Sequence, residues 1–178
     1  MAVLCYIIMM NNLAFVSNHQ DAKQERDENI MASETQRETL SRVKKRLLRS
    51  FPRYNSILKN RKIIDGGDNT AGGRGCTDGN NIWINAGMSE EEQMMVLAHE
   101  AKHIERDDCG KGVEDHELWN FVTDAVINDE LESEGMSVRN GVKIEGAKEM
   151  GAEKLYEVLL KKKKGQLKED EMTQEIVA

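Results

Sequence analysis

Cysteine is scarce in this sequence. The 178-residue chain contains three cysteines, Cys5, Cys76 and Cys109, and no CxxC pair. They lie far apart and their number is odd, whereas a disulfide framework needs cysteines that pair. We therefore expect a chain without structural disulfides, located in the reducing environment of the cytoplasm.

A hydrophobic run of membrane length is also missing. The apolar stretch 2–16 is shorter than the roughly 20 residues that a transmembrane helix needs. It has no positively charged segment before it and no clear cleavage site after it, so we expect no signal peptide. We predict no membrane partner, and we interpret residues 1–30 as an N-terminal extension that could be disordered or belong to a misassigned start.

Net positive charge is the third absence. The 32 acidic residues outnumber the 25 basic ones and give a formal charge of −7. Because nucleic-acid binding needs a basic face, we predict no nucleic-acid partner. The basic stretches 42–49 and 161–164 are local, and we interpret them as solvent-facing. The tail 161–178 is charged and poor in core residues, so we expect a frayed helix end followed by disorder.

The sequence does contain enough apolar material for one domain. Hydrophobic residues make up 39% of the chain, which suffices for a modest core at this length. The spacing of apolar residues predicts a helix over 34–50 that ends near Pro52. The glycine-rich segment 66–75 predicts a loop. Candidate strands are 61–64 and the part of 76–85 that follows an Asp-Gly turn signal. Helices combined with a small sheet predict an α+β fold.

Two histidines stand four residues apart in the segment LAHEAKHIERDD, residues 97–108. Ser89, with Glu92 three residues later, forms a capping-box pattern and predicts that a helix begins there. On such a helix His99 and His103 project from one face, so both imidazoles can reach a single cation. HExxH also occurs by chance with exposed or buried histidines. The capped, amphipathic helix favours a metal site.

Glu100 follows the first motif histidine. It is rotated by about 100° from His99 around the helix, so it is poorly placed to bind the same metal. We predict instead that Glu100 is the general base: zinc lowers the pKa of a bound water, Glu100 takes the proton, and the hydroxide attacks a carbonyl.

A second helix is predicted over 114–136, with Gly135 as its C-cap. Its middle is strongly apolar, through Leu118, Trp119, Phe121, Val122, Ala125, Val126, Ile127 and Leu131. This composition predicts a helix that is buried over much of its surface.

A polar stripe interrupts this apolar helix. Asn120, Asp124 and Asn128 each stand four residues apart and therefore share one face. Burying an unpaired carboxylate costs free energy. A metal ligand with two amides as hydrogen-bonding neighbours explains the stripe better than an exposed face or a buried network with Arg106.

The third zinc ligand has several candidates. Asp107 and Asp108 follow the HExxH helix but also fit a solvated loop. Cys109 is chemically suitable, although it would favour a structural site, and His116 stands at the start of the second helix. We prefer Asp124, because the polar stripe of the second helix passes through it.

Together these segments resemble a known family. TDGNNIWIN, VLAHEAKH and HELWNFVTDAVIND are similar to the metallopeptidase domain that is often fused to a VWA-like domain. Members pair a TDG-containing strand with an HExxH helix and a WNxxxDxxxN helix, which here carries Asn120, Asp124 and Asn128. The stretch GAEKLYEVLL resembles the family's short helix with a glutamate and a tyrosine, here Glu153 and Tyr156.

The resemblance covers about residues 33–160 and implies a zincin-like fold and a zinc peptidase activity. Many members carry a further histidine five residues after the second motif histidine, where this chain has Asp108. This departure leaves the ligand set open. We place Asp108 and Tyr156, with Asn120 and Asn128, among residues that support the ligands or lie near the substrate. We expect no VWA-like domain, because the chain ends soon after Tyr156.

The resulting prediction is an α+β, zincin-like domain over 31–160, in which a small sheet packs on helices that include the HExxH active-site helix. We predict a zinc-dependent peptidase that holds Zn²⁺ with His99, His103 and Asp124. A peptide or protein substrate is predicted to bind by strand addition along 80–85, as in other zincins.

Two alternatives stay open. The chain could be a non-catalytic, zinc-stabilised interaction or regulatory module, in which a fourth protein ligand such as Cys109 or His116 closes the site. It could also be another type of zincin, such as the regulator-cleaving peptidases of phage and mobile elements. The sequence identifies neither a substrate nor an oligomeric state.

Overall fold

A computed structural model describes residues 35–67, 74–139 and 141–165. The predicted extension 1–30 and most of the predicted charged tail lie outside these residues. The chain divides into two compact units, Met1–Thr39 and Leu40–Ala178. The described part of the first unit is residues 35–39, which are helical. Every tertiary contact described below lies in the second unit.

In the described chain three consecutive short strands lie between two groups of helices. The elements in chain order are helix α1 (35–50), a 3-10 turn (Pro52–Tyr54), α2 (Asn55–Leu58), β1 (Lys62–Asp65), β2 (Gly75–Thr77), β3 (Asn81–Ile84), α3 (Glu90–Glu105), α4 (His116–Ser133), α5 (Ala147–Met150) and α6 (Ala152–Lys163). The fold is therefore α+β, as predicted. No helix in the described part of the chain has the length and hydropathy that a membrane span requires.

Helix α3 begins at the predicted capping box. The Ser89 hydroxyl accepts a hydrogen bond from the Glu92 backbone N–H at 3.3 Å. The Glu92 carboxylate in turn accepts one from the Ser89 N–H at 3.2 Å. These bonds satisfy backbone donors that the first turn of a helix leaves free. The capping-box prediction is confirmed.

Helix α4 has equally clear ends. The Asp115 carboxylate accepts a hydrogen bond from the Leu118 N–H at 3.1 Å and caps the first turn. At the other end Gly135 adopts a left-handed φ of 86°, and the Met136 N–H donates to the Leu131 carbonyl at 2.9 Å. The predicted glycine C-cap is confirmed.

Three strands form a mixed sheet in the order β1-β3-β2. Strand β3 pairs in parallel with β1 and antiparallel with β2. Ile82 and Ile84 of β3 are buried on one face of the sheet, as predicted.

The position of β3 contradicts the predicted binding strand. Substrate addition along 80–85 requires an edge strand, but both edges of β3 are already paired. Among the described strands, the one beside α3 with an unpaired edge is β2. The prediction failed because the partner β1 lies far away in sequence, and the residues of β2 were assigned to the preceding loop and turn.

The apolar side chains form two clusters, and α4 contributes to both. Ile127 and Leu131 belong to a first cluster with α1, α2, β3 and α3. Trp119 and Val122 belong to a second cluster with α5 and α6. The helix is buried over much of its surface, as predicted, but this burial does not include Phe121, which is 43% exposed. Its position on the helix faces away from both clusters.

An ion-pair group joins the back of α3 to α4. Lys102 is buried, and its Nζ lies 2.8 Å from Glu130 Oε2 and 3.0 Å from Glu134 Oε1. The two carboxylates compensate a buried ammonium, which would otherwise be costly. This group fixes the two helices side by side behind the candidate metal centre.

Candidate metal centre

His99, His103 and Asp124 converge between α3 and α4. The two histidine Nε2 atoms lie 3.1 Å apart. Asp124 Oδ1 lies 3.3 Å from His99 Nε2 and 3.1 Å from His103 Nε2. This is the only group of three potential ligand side chains that comes together among the described residues. The structure thus brings together the three residues that the sequence analysis selected, while their role as ligands stays a prediction.

Asn128 holds the other nitrogen of His99. Its Nδ2 donates to the Val142 carbonyl at 3.0 Å, which turns its Oδ1 towards the ring. That oxygen lies 3.1 Å from His99 Nδ1. The amide oxygen can only accept, so Nδ1 carries the proton and the Nε2 lone pair faces the centre.

Asp108 holds the other nitrogen of His103. Its Oδ2 lies 3.3 Å from His103 Nδ1. The end of α3 creates this contact: Asp107 adopts a left-handed φ of 55°, and the Asp108 N–H returns to the His103 carbonyl at 3.0 Å. The solvated-loop interpretation fits Asp107, which is exposed, and is wrong for Asp108, which is buried.

Arg106 keeps the Asp108 carboxylate in place. Arg106 Nε lies 3.4 Å from Asp108 Oδ2, and its Nη1 donates to Glu130 Oε1 at 3.1 Å. Two anchored carboxylates therefore fix the guanidinium behind the histidine. The sequence suggests Arg106 only in an alternative network with Asp124, and its local pattern does not indicate the contacts with Asp108 and Glu130.

The donor set fits a small tetrahedral cation. With both Nδ1 protons directed outwards, two nitrogen lone pairs and a carboxylate oxygen face one another. Such atoms repel unless a proton or a cation lies between them. Ligands at 2.0–2.1 Å from a tetrahedral zinc ion are about 3.3 Å apart, close to the 3.1–3.3 Å observed here. Imidazole nitrogen and carboxylate oxygen are also ligands that zinc accepts.

The electrostatics of the three side chains reflect the same convergence. Burial alone would lower the pKa of His103, but its hydrogen bonds with Asp108 and Asp124 raise it to about 9. Burial likewise opposes the charge on Asp124, but hydrogen bonds with the two histidines bring its pKa well below the usual range. The centre therefore favours a positive charge beside a carboxylate, which a proton or a metal can supply.

Glu100 lies beside this group without belonging to it. Its side chain is buried, and burial raises its pKa although the two histidines partly oppose the shift. Among the described residues, no group donates a hydrogen bond to its carboxylate. On the sheet it lies beside Gly75, where an added Cβ would lie 3.5 Å from Glu100 Oε1. The carboxylate is thus free to accept a proton.

The centre opens into a cleft of about 780 Å³. Its walls are β2, the inner face of α3, the start of α4 and the segment around Val138 and Val142. The Asn85 N–H bonds to the Arg74 carbonyl, and the Asp78 N–H to the Asn81 carbonyl. By the alternation of an antiparallel pair, the backbone groups of residues 75 and 77 point towards the open edge of β2.

The remaining candidates lie elsewhere. Asn120 lines the cleft but is exposed and has no contact with the histidines. Cys109 Sγ contacts the Thr77 carbonyl at 3.7 Å, and His116 is an exposed lining residue. Within the described chain neither joins the three-residue group.

Tyr156 does not reach the centre. It is buried in the second apolar cluster, its ring packs edge-on against Trp119 with centroids 5.6 Å apart, and its hydroxyl accepts from the Asp115 N–H at 2.9 Å. Its predicted place near the ligands or the substrate is therefore wrong. Tyr156 instead joins α6 to the start of α4. Glu153 forms an ion pair with Lys111 at 2.6 Å.

Gly141 supports the centre and escaped sequence analysis. A Cβ at this position would lie 2.6 Å from Asn128 Nδ2 and 2.7 Å from Val138 Cγ1. Glycine is therefore required for Asn128 to reach the Val142 carbonyl. The sequence around Gly141 has no pattern that indicates this role, because Asn128 lies on another element.

The comparisons with known proteins agree with this chemistry at the level of the family. A family model described as "Putative metallopeptidase domain" matches residues 34–176, about four fifths of the chain. No curated protein and no solved structure showed significant similarity. The match spans α1 to α6, including α3 and α4 with their three converging side chains. The chain belongs to the putative metallopeptidase domain family.

Proposed function

We propose that this protein is a zinc-dependent peptidase with a zincin-like arrangement, acting in the cytoplasm. The observation that carries the proposal is the convergence of His99, His103 and Asp124 on one point of the cleft, with Glu100 buried beside them. Family membership supports the reaction class, since a metallopeptidase hydrolyses peptide bonds with the help of a metal ion.

The number of protein ligands supports a catalytic site over a structural one. A structural zinc site is closed by four protein ligands, whereas a catalytic site has three and leaves a position open. Within the described chain, three side chains form the group, and Cys109 and His116 lie outside it. The open side faces the cleft, where a substrate can enter. This argues against the non-catalytic interaction module.

Zinc, when bound, would supply Lewis acidity that polarises the substrate carbonyl and makes water more acidic. His99, His103 and Asp124 would hold it, with Asn128 and Asp108 fixing the histidine rings. Glu100 accepts the proton from the attacking water and then delivers it to the leaving amine. Its raised pKa suits both steps, because a carboxylate that is too weak a base would not retain the proton.

The edge of β2 offers a place for the substrate backbone. The outward N–H and C=O groups of Gly75 and the outward N–H of Thr77 lie along the cleft beside α3, and an extended peptide can pair with them. The Thr77 carbonyl already faces Cys109 Sγ at 3.7 Å. Such pairing would lay a peptide carbonyl across the region of Glu100. The strand that we propose to bind the substrate is therefore Gly75–Thr77 and not the predicted segment 80–85.

The proposal is tested by Glu100→Gln. We expect purified protein to contain about one zinc per chain and to cleave members of an unbiased peptide library. Glu100→Gln should keep the zinc and lose at least about a hundredfold in cleavage rate, since it removes only the general base. Metal content is measured by elemental analysis and cleavage by mass spectrometry.

Glu91→Gln is the matched control. Glu91 lies on the same helix with its side chain 78% exposed, so the same chemical change there should leave both metal and cleavage unchanged. If Glu100→Gln lost the zinc, or cleaved the library as fast as the unchanged protein, the proposed role of Glu100 would be wrong.

A further inference from the structure

Two arginines stand together in the cleft lining, at the end where β2 begins. Arg74 immediately precedes β2, and Arg139 follows the buried Val138. Arg74 Nη1 donates a hydrogen bond to the Arg139 carbonyl at 3.1 Å. The two residues are therefore held next to each other, although they belong to distant parts of the sequence.

The positive charge of this pair is incompletely balanced. Among the described residues, Glu92 is the acidic residue paired with it, with Oε1 at 4.0 Å from Arg74 Nη2. Its other oxygen is engaged in the helix cap, where it accepts from the Ser89 hydroxyl at 2.7 Å. Within the described part of the chain, the two guanidinium groups thus share one carboxylate that already serves the cap.

Both guanidinium groups have N–H donors without an acceptor among the described residues. Arg74 Nη2 is buried and has no hydrogen-bond partner in the part of the chain that the structure describes. Arg139 is exposed. Among the described residues its guanidinium forms no hydrogen bond and no ion pair, and its electrostatic attraction to Glu92 acts at longer range. A buried donor without an acceptor costs free energy, which a ligand carrying an acceptor would recover.

The arginine pair lies at a defined distance from Glu100. Glu92, beside Arg74, precedes Glu100 by eight residues of helix, or about 12 Å at 1.5 Å per residue. An extended peptide advances about 3.3 Å per residue. A peptide paired with β2 would therefore present a side chain to the arginines about three or four residues from its reacting carbonyl.

The two ends of the β2 edge differ in charge. Asp78 lies at the opposite end, where its carboxylate accepts from the Asn80 and Asn81 N–H groups at 2.8 and 2.6 Å. This carboxylate remains negative, since those hydrogen bonds lower its pKa. A peptide carboxylate is attracted to the arginine end and repelled from the Asp78 end, so its placement at the arginine end is favoured.

We propose that Arg74 and Arg139 form a subsite for a substrate carboxylate, about three or four residues to one side of the bond that is cleaved. Guanidinium groups bind carboxylates through paired, charge-assisted hydrogen bonds. The carboxylate belongs either to an Asp or Glu side chain or to the C-terminus of the peptide. This subsite rests on the proposed peptidase function and adds a substrate class to it.

The experiment measures binding, so that it does not depend on turnover. Fluorescein-labelled decapeptide pools are randomised except at one position, which is Asp or Asn, and the fixed position is moved along the peptide. Half of the pools have a free C-terminal carboxylate and half an amide. Fluorescence anisotropy is recorded with zinc-loaded Glu100→Gln protein, which would bind peptides without cleaving them.

We expect one fixed position, or the free C-terminus, at which the carboxylate pool binds about tenfold more tightly than its neutral match, as for one charged hydrogen-bonded contact. Adding Arg139→Gln should remove most of this preference. Arg49→Gln, an exposed arginine of α1 outside the cleft lining, should retain it. Melting temperatures establish that both variants are folded, and Arg74→Lys offers a second, charge-conserving variant.

Equal binding of acidic and neutral pools at every position and both termini would overturn the subsite. A preference that survives in both Arg139→Gln and Arg74→Lys would also overturn it. Failure of the unchanged protein to cleave any library would instead disprove the peptidase proposal, while the anisotropy comparison would still decide the subsite. The two proposals therefore fail separately.

Discussion

Each histidine of the centre has one nitrogen committed before any metal arrives. Asn128 holds Nδ1 of His99 and Asp108 holds Nδ1 of His103, at 3.1 and 3.3 Å. The rings are thereby fixed in orientation, and Nε2 is left to bind. Asp124 differs from both supporting residues because its carboxylate lies directly against the two Nε2 atoms. Its loss should therefore matter more than the loss of either support.

Asp124→Ala should lower the affinity for zinc by at least about tenfold, because it removes one of three ligands. Asp108→Ala should cause a smaller loss, since His103 remains and only its support is removed. Both affinities are measured by competition with a chromophoric zinc chelator. A larger effect of Asp108→Ala than of Asp124→Ala would contradict the assignment of the third ligand.

Zinc binding should strengthen as the pH rises towards about 9. The pKa of His103 is raised to about 9 against the effect of burial, by hydrogen bonds with Asp108 and Asp124. Zinc needs the unprotonated imidazole, so each binding event below this pH releases a proton and the affinity grows by up to about tenfold per pH unit. Titration calorimetry in buffers of different ionisation enthalpy counts the protons, and constant affinity between pH 6.5 and about 9 would contradict the shift.

For the protein without zinc, the raised pKa of His103 makes the stability of the fold decrease as the pH rises, whereas the affinity for zinc increases. A raised histidine pKa stabilises the fold fully below the unfolded value of 6.5, and this stabilisation is lost as the pH rises through about 9. With a chelator present, the melting temperature should therefore fall over this window. With zinc, which replaces the proton, the fall should be smaller.

The sequence named the residues of the centre and, with Asn128 and Asp108, two residues that support it, but it did not predict how these supports make their contacts. The spacing of His99 and His103, and the polar stripe through Asp124, are local features of helices and can be read from the sequence. The contact of Asp108 with His103 depends on a left-handed residue at position 107, which aspartate adopts less readily than glycine. The contact of Asn128 depends on a distant glycine. Such support comes from tertiary structure, which local spacing does not encode.

At the scale of elements, β2 lies unusually close to α3. A Cβ at Gly75 would come within 2.4 Å of Val96 Cγ1 and 3.1 Å of the Trp83 carbonyl oxygen. Only hydrogen at this position lets the strand edge reach the helix beside Glu100. The close approach of β2 to α3 along the cleft therefore depends on the glycine at position 75.

Gly75→Ala should destabilise the fold by about 1–3 kcal/mol, the usual cost of an overpacked site, because Val96 and the strand must both shift. Cleavage should also fall, since the displaced strand is the proposed substrate edge. Gly112→Ala is the control: a Cβ there meets nothing within 4 Å, and its stability should stay within about 0.5 kcal/mol. Urea unfolding measures both, and equal stabilities of the two variants would show that β2 can move away without cost.

The ends of the helices could be predicted from short sequence signals. Which strands pair with one another could not. The capping box at Ser89 and the glycine after α4 are short-range signals, and both ends were predicted. The place of β3 between β1 and β2 depends on a parallel pairing with residues about 20 positions earlier. No turn or spacing marks that pairing, so the sequence analysis assigned the wrong strand to the sheet edge.

At the scale of the whole molecule, the two apolar clusters meet along α4. Helix α3 belongs to the first cluster, while α5 and α6 belong to the second. The group around Lys102 joins α3 to α4 on one side, and the three converging side chains join them on the other. The candidate metal centre therefore lies where the two halves of the core are connected.

A metal held by both helices would act as a cross-link against local opening. Helix α4 could separate from α3 and carry α5 and α6 with it, withdrawing Ile127 and Leu131 from the first cluster while its members on α1, α2, β3 and α3 stay together. Such partial openings expose amide protons to solvent. Binding that requires the closed form suppresses this opening by mass action. Removing zinc should therefore speed hydrogen–deuterium exchange by at least about tenfold across α4 and α6, with little change in α1 and α2. Mass spectrometry of the exchanged protein would locate the segments that open when the metal is removed. The availability of the metal would then determine how long α3 and α4 stay together and the cleft between them stays assembled.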